Sequence, residues 1–205
     1  MLGRRWGRAG IAGALLLNTG CASWYYNVNH EIVPTSISVA TSQKTVGVKI
    51  NPNSKAPAMA SVSPTEVVER FVRRMREDAM FAHVIFPYTE LAQLKPSSLF
   101  DITVTIDEKV HWGENLVKAV LVGASFFILT PVLPFHFALV VDLDVESTEL
   151  ADRASARYRY ISQYEFKYWF YPKKKVFEKW LEQTQIHAVE HVLNQIKKAM
   201  AQPEK

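Results

Sequence analysis

The sequence has little of what enzymes use to build reactive sites. It contains one cysteine and eight glycines in 205 residues, and none of its serines lies in a G-x-S-x-G motif. No glycine-rich loop of the kind that binds phosphate groups is present. These absences argue against a disulfide framework, a nucleophilic hydrolase and a nucleotide-binding enzyme. We therefore expect a protein that is not an enzyme and that uses no cofactor.

Most of the net positive charge comes from the N-terminus. Three arginines precede the apolar run Ile11–Leu17, and small or polar residues then lead to Gly20 and Cys21. This order of a basic, an apolar and a small-residue region is that of a secretory signal peptide. Removing residues 1–20 lowers the net charge from +4 to +1, which leaves too little positive charge to hold phosphate backbones. We therefore expect export and no nucleic-acid partner.

The single cysteine, Cys21, follows this apolar region. It cannot form an internal disulfide, so pairing outside the chain, a free thiol and covalent modification are the alternatives. The stretch around Gly20 and Cys21 resembles the lipobox of bacterial lipoproteins, in which cleavage precedes the cysteine and acyl chains such as palmitate are attached. The resemblance implies a lipid anchor on Cys21; an uncleaved anchor and a coincidental cysteine are the other interpretations. In such lipoproteins, an aspartate directly after the cysteine would retain the protein at the inner membrane. Ala22 at this position implies the outer membrane, facing the periplasm.

Several aromatic and basic side chains are candidates for contact with a membrane or a partner protein. Amphipathic rings favour the headgroup region, and lysines favour anionic lipids. Packing on the domain, or simple solvation, is the alternative for each of them. The candidates are Trp24, Tyr25, Tyr26, Phe126, Phe127, Trp169, Tyr171, Lys173, Lys174 and Lys175.

A run of 23 residues, Ala119–Val141, carries no formal charge. From Phe135 it follows a period-two pattern typical of a strand, and Pro131 and Pro134 separate that strand from what precedes it. The remaining Ala119–Thr130 would reach only ~18 Å as a helix, whereas the hydrocarbon core of a bilayer is ~30 Å thick. We expect a short buried or membrane-dipping element, with a transmembrane helix over 117–141 as the alternative.

Period-two and helical patterns predict the other elements. Ser63, Pro64 and Glu66 mark a helix start with an N-cap and a capping box. The predicted order is strand 44–50, helix 63–79, buried strand 80–86, strand 100–112, an apolar insert at 116–134, strands 135–146 and 155–170, and helix 174–200. This order predicts an α+β fold, with a mostly antiparallel sheet of four to five strands and two main helices packed on one face. We expect a signal peptide (1–20), a lipidated tether (21–42), a single domain (43–200) and a tail (201–205).

The last predicted helix contains His187, Glu190 and His191 in the H-x-x-E-H pattern of inverted zinc proteases. Histidines four residues apart share one helix face and can both reach a zinc ion. A site of that class needs a further protein ligand downstream, where Glu204 is the only acid. We therefore interpret both histidines as helix-surface residues and predict no metal site.

The strand-rich middle of the chain, FDITVTIDEKVHW and FALVVDLDVESTELADRASARY, resembles periplasmic lipoprotein domains of the curli-secretion and penicillin-binding-protein-activator type. The resemblance covers about residues 43–200 and transfers no functional residue. It implies a non-catalytic, lipid-anchored envelope lipoprotein whose domain binds an envelope partner or self-assembles. An auxiliary component of an envelope transporter for lipid or another hydrophobic cargo is the alternative.

Overall fold

The computed structural model describes residues 37, 39–57, 63–92, 94–125, 135–151, 153–168 and 174–201. Within these ranges the predicted α+β fold with two main helices is confirmed, and a third helix is added. The elements follow in the order β1 (Ser42–Ile50), α1 (Pro64–Glu77), β2 (Phe81–Ile85), β3 (Ser98–Val110), α2 (Trp112–Ala124), β4 (Phe135–Glu149), β5 (Ser155–Tyr168) and α3 (Lys174–Ala201).

The five strands form one mixed sheet in the order β2-β1-β3-β4-β5. β1 runs parallel to both of its neighbours, and Val46 pairs with Val84 of β2 on one side and with Ser98 of β3 on the other. β4 begins beside the end of β3, where the His111 amide hydrogen-bonds the His136 carbonyl, and a short link joins β4 to β5. Such connections make the three long strands antiparallel to one another.

The core lies between one face of the sheet and helices α1 and α3. Alternate residues of β3 are buried, as expected for a strand with one covered face. Helix α1 contributes five buried apolar side chains, and α3 contributes a stripe at helical spacing. The fully buried side chains include Val46, Val48, Phe71, Met75, Ile102, Val104, Leu139, Leu143, Leu181 and Val192.

Helix α1 begins as the capping residues predict. Ser63 has an extended backbone conformation, and its hydroxyl accepts a hydrogen bond from the Glu66 amide at 3.4 Å. Pro64 occupies the first helical position, where its missing amide hydrogen costs nothing. The helix start predicted from these three residues is therefore confirmed.

The prediction that strand 80–86 is buried is wrong. β2 (Phe81–Ile85) occupies an end of the strand order, beside β1, and its side chains are half-buried or exposed. Met80, one residue earlier, is fully buried. An apolar run at a sheet edge has the same composition as a central strand, so the sequence did not distinguish the two.

Two predicted boundaries in the middle of the chain also change. β3 ends at Val110, and α2 begins at Trp112, inside the predicted strand 100–112. The start of β4 at Phe135 is confirmed, so a single helix over 117–141 is wrong: α2 ends at Ala124 and a strand follows. Among the described residues, none of the helices has the length and hydropathy that a membrane crossing requires.

Contacts divide the chain into two compact units. The described residues of the first are 110–125, 135–137 and 165–168, which form α2 and the adjoining ends of β3, β4 and β5. The described residues of the second lie within 37–109, 138–164 and 174–201, and they contain the core described above. The boundaries of the signal peptide, tether, domain and tail stay predictions.

Candidate functional site

Helix α2 carries an exposed apolar surface. Five of the nine large hydrophobic side chains that are exposed among the described residues lie on this one helix. At ~100° per residue they cover about half of its circumference. We call them the α2 apolar face: Trp112, Leu116, Val117, Val120 and Leu121, which are 45% to 76% exposed.

The side of α2 that contacts the protein is narrow and mostly polar. Asn115 and Val122 are its buried residues, and the side chain of Lys118 between them is only 15% exposed. A helix on the surface of a water-soluble domain has the opposite arrangement, with apolar residues inward and polar residues outward. The inverted arrangement of α2 suits surroundings that are less polar than water.

A cluster of titratable side chains lies at the N-terminal end of α2. His111 and Glu114 from this end and His136 from β4 place one nitrogen or oxygen atom each within 4.8 Å of one another. The rings of His111 and His136 stack with centroids 4.0 Å apart. Nδ1 of His136 lies 3.2 Å from Oε2 of Glu114, and Nε2 lies 3.3 Å from Oε2 of Glu165. His136 therefore lies between two carboxylates.

Glu114 is held in its ionised form. Lys118 donates a hydrogen bond to its Oε1, while His136 contacts its Oε2. The hydrogen bond from Lys118, and then the contact with His136, lower the pKa of Glu114 to about 2. The side chain is 45% exposed, so solvent screens these interactions and their contribution to stability is small.

Asn115 joins α2 to the start of β4. Its Nδ2 donates to the His136 carbonyl at 2.8 Å, and its Oδ1 accepts from the His136 amide at 2.7 Å. The residue is only 6% exposed, and this two-way amide contact satisfies its polar atoms. The contact fixes the backbone of His136, and hence its ring, beside the first turn of α2.

The three H-x-x-E-H residues of α3 face different partners. His187 is 8% exposed, and its ring lies 2.9 Å from the Tyr164 hydroxyl of β5. Glu190 accepts a hydrogen bond at 2.7 Å from an arginine of α1, and the ring of His191 stacks on a β5 tyrosine at 3.9 Å. The interpretation of both histidines as helix-surface residues is wrong for His187, because α3 turns this face towards the tyrosines of β5.

The predicted lipidation site and most predicted contact residues lie outside the described residues. Lys174 and Lys175 begin α3. Their roles, like those of the others, stay predictions. The residues outside the described ranges are Gly20, Cys21, Trp24, Tyr25, Tyr26, Phe126, Phe127, Trp169, Tyr171 and Lys173.

The second unit carries an open cleft between the sheet and the end of α3. Its larger apolar lining residues are Phe81, Phe100, Tyr158, Ile196 and Met200, and alanine, serine, threonine, lysine and glutamate residues line the rest. Among the described residues, none of those predicted as functional from the sequence lines it. Its mixed lining fits no particular ligand class.

The comparisons with known proteins give only distant likenesses. No family model and no curated protein matches the sequence. Among solved structures, rare lipoprotein B from Shewanella oneidensis is similar over 76% of this chain and 95% of its own, at 8% identity and a TM-score of 0.45. A Xanthomonas campestris protein of the DUF330 family model is similar over 78% of this chain and 84% of its own, at 11% identity and a TM-score of 0.31. At these values no function transfers to this chain.

Proposed function

We propose that the protein is a non-catalytic lipoprotein of the bacterial cell envelope, anchored by acyl chains on Cys21, whose α2 apolar face lies against the bilayer surface. The observation that carries the proposal is the inverted arrangement of α2, with its apolar residues outward and Asn115 and Lys118 inward. The predicted signal peptide and the lipobox-like Gly20–Cys21 supply the anchor on the same chain.

The length of α2 favours lying on a membrane over crossing it. Its 13 residues extend for ~20 Å, and the hydrocarbon core is ~30 Å thick. A short helix that is apolar over half of its circumference binds in the plane of the interface. Trp112, at its first position and 76% exposed, is of the residue type that favours headgroup level.

Because an acyl anchor holds the domain at the membrane, the bilayer is the first surface that the α2 apolar face meets. Burying one Leu or Val side chain contributes about 1.5–3 kcal/mol, so half-burial of the four Leu and Val side chains of this face contributes about 3–6 kcal/mol. Tethering holds the domain at the membrane and raises the local concentration of that surface. A helix with this surface therefore complements the anchor as a second membrane contact.

The anchor is tested by mass spectrometry of protein purified from bacterial membranes. We expect a mature chain that begins at Cys21 and carries the added mass of acyl chains. Cys21→Ser should leave the chain uncleaved and unacylated. An unmodified Cys21 thiol in membrane-purified protein would contradict the anchor.

The α2 contact is tested with a chain that begins at Ala22 and so lacks the anchor. We expect it to float with vesicles of phosphatidylethanolamine and phosphatidylglycerol, and we expect Leu116→Glu with Val120→Glu to lower the bound fraction at least tenfold. The matched control is Leu150→Glu with Ile161→Glu, since these side chains are 49% and 50% exposed outside α2. Equal binding of the two double variants would refute the bilayer contact. A dimer that only the α2 variant loses would instead identify a second copy as the occupant.

A further inference from the structure

The ring of His136 directs each of its nitrogens at a carboxylate. Nδ1 lies 3.2 Å from Glu114, and Nε2 lies 3.3 Å from Glu165. A neutral imidazole has a hydrogen on one nitrogen and a lone pair on the other, so one of these contacts would set a lone pair against a carboxylate. A metal ion bound between Nδ1 of His136 and the Glu114 carboxylate would remove this repulsion.

We propose that His111, Glu114 and His136 bind a divalent ion of the Zn²⁺ class. Two imidazoles and one carboxylate form a ligand set that zinc accepts, whereas Mg²⁺ and Ca²⁺ require oxygen ligands. Glu165 is a positioning residue: it accepts the hydrogen of Nε2, which directs the lone pair of Nδ1 at the ion. The proposal is independent of the membrane contact of α2.

The spacing of the three ligands suits a single ion once the ring of His111 has turned out of its stack on the ring of His136. Bonds of ~2.0–2.1 Å at tetrahedral angles put neighbouring donor atoms ~3.4 Å apart, and the distance of 3.2 Å between Nδ1 of His136 and Oε2 of Glu114 is already close to this value. All three donor atoms lie within 4.8 Å of one another. His111 is exposed and makes no capping hydrogen bond to α2, so its ring can turn towards the ion.

Two positive charges oppose cation binding at this place. The N-terminal end of a helix carries a partial positive charge, and Lys118 lies beside Glu114. Lys118, however, contacts Oε1 of Glu114, and the oxygen that faces His136 is Oε2. The negative charge of Glu165 also offsets the dipole. Because of these opposing charges and the exposed ligands, we expect a weaker site than a closed structural zinc site.

A bound ion would fix the first turn of α2 to β4. Asn115 already joins these two elements through the backbone of His136, and the ion would add a link through the side chains. His111 and Glu114 are exposed, so the fourth coordination position would be open to water. The ion would therefore stabilise the helix that carries the α2 apolar face.

The test is calorimetric titration of ZnCl₂ into the purified full chain in detergent, after a chelator has removed bound metal. We expect one Zn²⁺ per chain, no competition from Mg²⁺, and at least a tenfold loss of affinity in His111→Ala and in Glu114→Gln. Glu165→Gln should keep the stoichiometry and weaken binding about 10- to 100-fold. The matched control is His83→Ala, because His83 is an exposed histidine on the edge strand β2, and it should bind as the wild type does.

The visible absorption of bound Co²⁺ gives a second readout, because it reports the ligands around the ion and not the stability of the fold. The wild-type protein should show the visible absorption of tetrahedral Co²⁺, and His111→Ala, checked for folding by circular dichroism, should lack it. Three results would each overturn the proposal. They are the absence of stoichiometric Zn²⁺ binding, binding that both ligand variants leave unchanged, and binding that His83→Ala abolishes.

Discussion

A buried lysine offers the sharpest test of how the two main helices are held together. Lys197 of α3 donates a hydrogen bond from Nζ to Oδ2 of Asp78 at 2.6 Å. The lysine side chain is 2% exposed and the aspartate side chain 17%. Asp78 is also the C-cap residue of α1, so this ion pair joins the end of α1 to α3. We predict that replacing Asp78 lowers the free energy of unfolding much more than replacing Lys197 does.

The asymmetry follows from burial. Asp78→Asn leaves an ammonium group in the interior without its carboxylate, and breaking a buried pair in this way costs about 3–5 kcal/mol. Lys197→Met removes the buried charge and keeps most of the volume, while Asp78 retains a second cation in Arg74 at 3.7 Å. The Lys197→Met variant should therefore lose less than about 2 kcal/mol. The double variant should be close to Lys197→Met, because it contains no unpaired buried charge.

The assay is urea denaturation of the chain that begins at Ala22, followed by circular dichroism. With a slope of about 2 kcal/mol/M, the Asp78→Asn variant should lose about 1.5–2.5 M in its midpoint. The loss of about 3–5 kcal/mol is a large part of the free energy of unfolding of a typical domain, which is about 5–15 kcal/mol. Equal losses in the two single variants, or a double variant as unstable as Asp78→Asn, would refute the reasoning.

Three further substitutions test local features. Ala79 follows α1 with φ of 47°, a conformation that favours glycine, so Ala79→Gly should add about 0.5–1 kcal/mol of stability; a thermal midpoint that does not rise would contradict this. A Cβ at Gly47 would lie 2.9 Å from the Tyr88 ring, so Gly47→Ala should cost about 1–3 kcal/mol in urea denaturation, and adding Tyr88→Ala should recover part of that loss. The hydrogen bond from Arg157 holds the pKa of Asp144 below its usual value of 3.8. The ionised pair therefore adds stability above pH 3.8 that is lost as the pH falls through the lowered pKa. Asp144→Asn should be less stable than the wild type at neutral pH, and the difference should shrink in an acid titration; a difference independent of pH would contradict this.

Elements with local signals were predicted to within a few residues. The hydroxyl cap of Ser63, the period-two pattern from Phe135 and the helical stripe beyond Lys174 each depend on neighbours in sequence. The structure confirms all three elements. The parallel placement of β1 between β2 and β3 depends instead on contacts between distant segments. Nothing in the composition of β1 reveals which strands will be its neighbours.

Of the two alternatives expected for the apolar segment, the buried one is wrong and the membrane-dipping one stays a prediction, because a pattern reports which residues share a face and not what medium that face meets. An apolar run is ordinarily buried, so its outward orientation contradicts the first assumption of sequence analysis. The helix also lacks a start signal, since His111 at the N-cap position makes no capping hydrogen bond with its side chain. Val110 and Trp112 extended the period-two pattern of β3, and the predicted strand therefore ran into the helix.

The two histidine arrangements of this chain show why spacing alone identifies a site poorly. H-x-x-E-H on α3 has the spacing of a zinc motif, yet His187 is turned to the tyrosines of β5 and Glu190 to α1. His111 and His136 belong to no motif, and they meet because the end of β3 lies beside the start of β4. A ligand set depends on where donor atoms converge, and that convergence comes from strand pairing between residues far apart in sequence. The zinc titration therefore tests a tertiary arrangement, and His83→Ala separates it from the general affinity of histidine for metals.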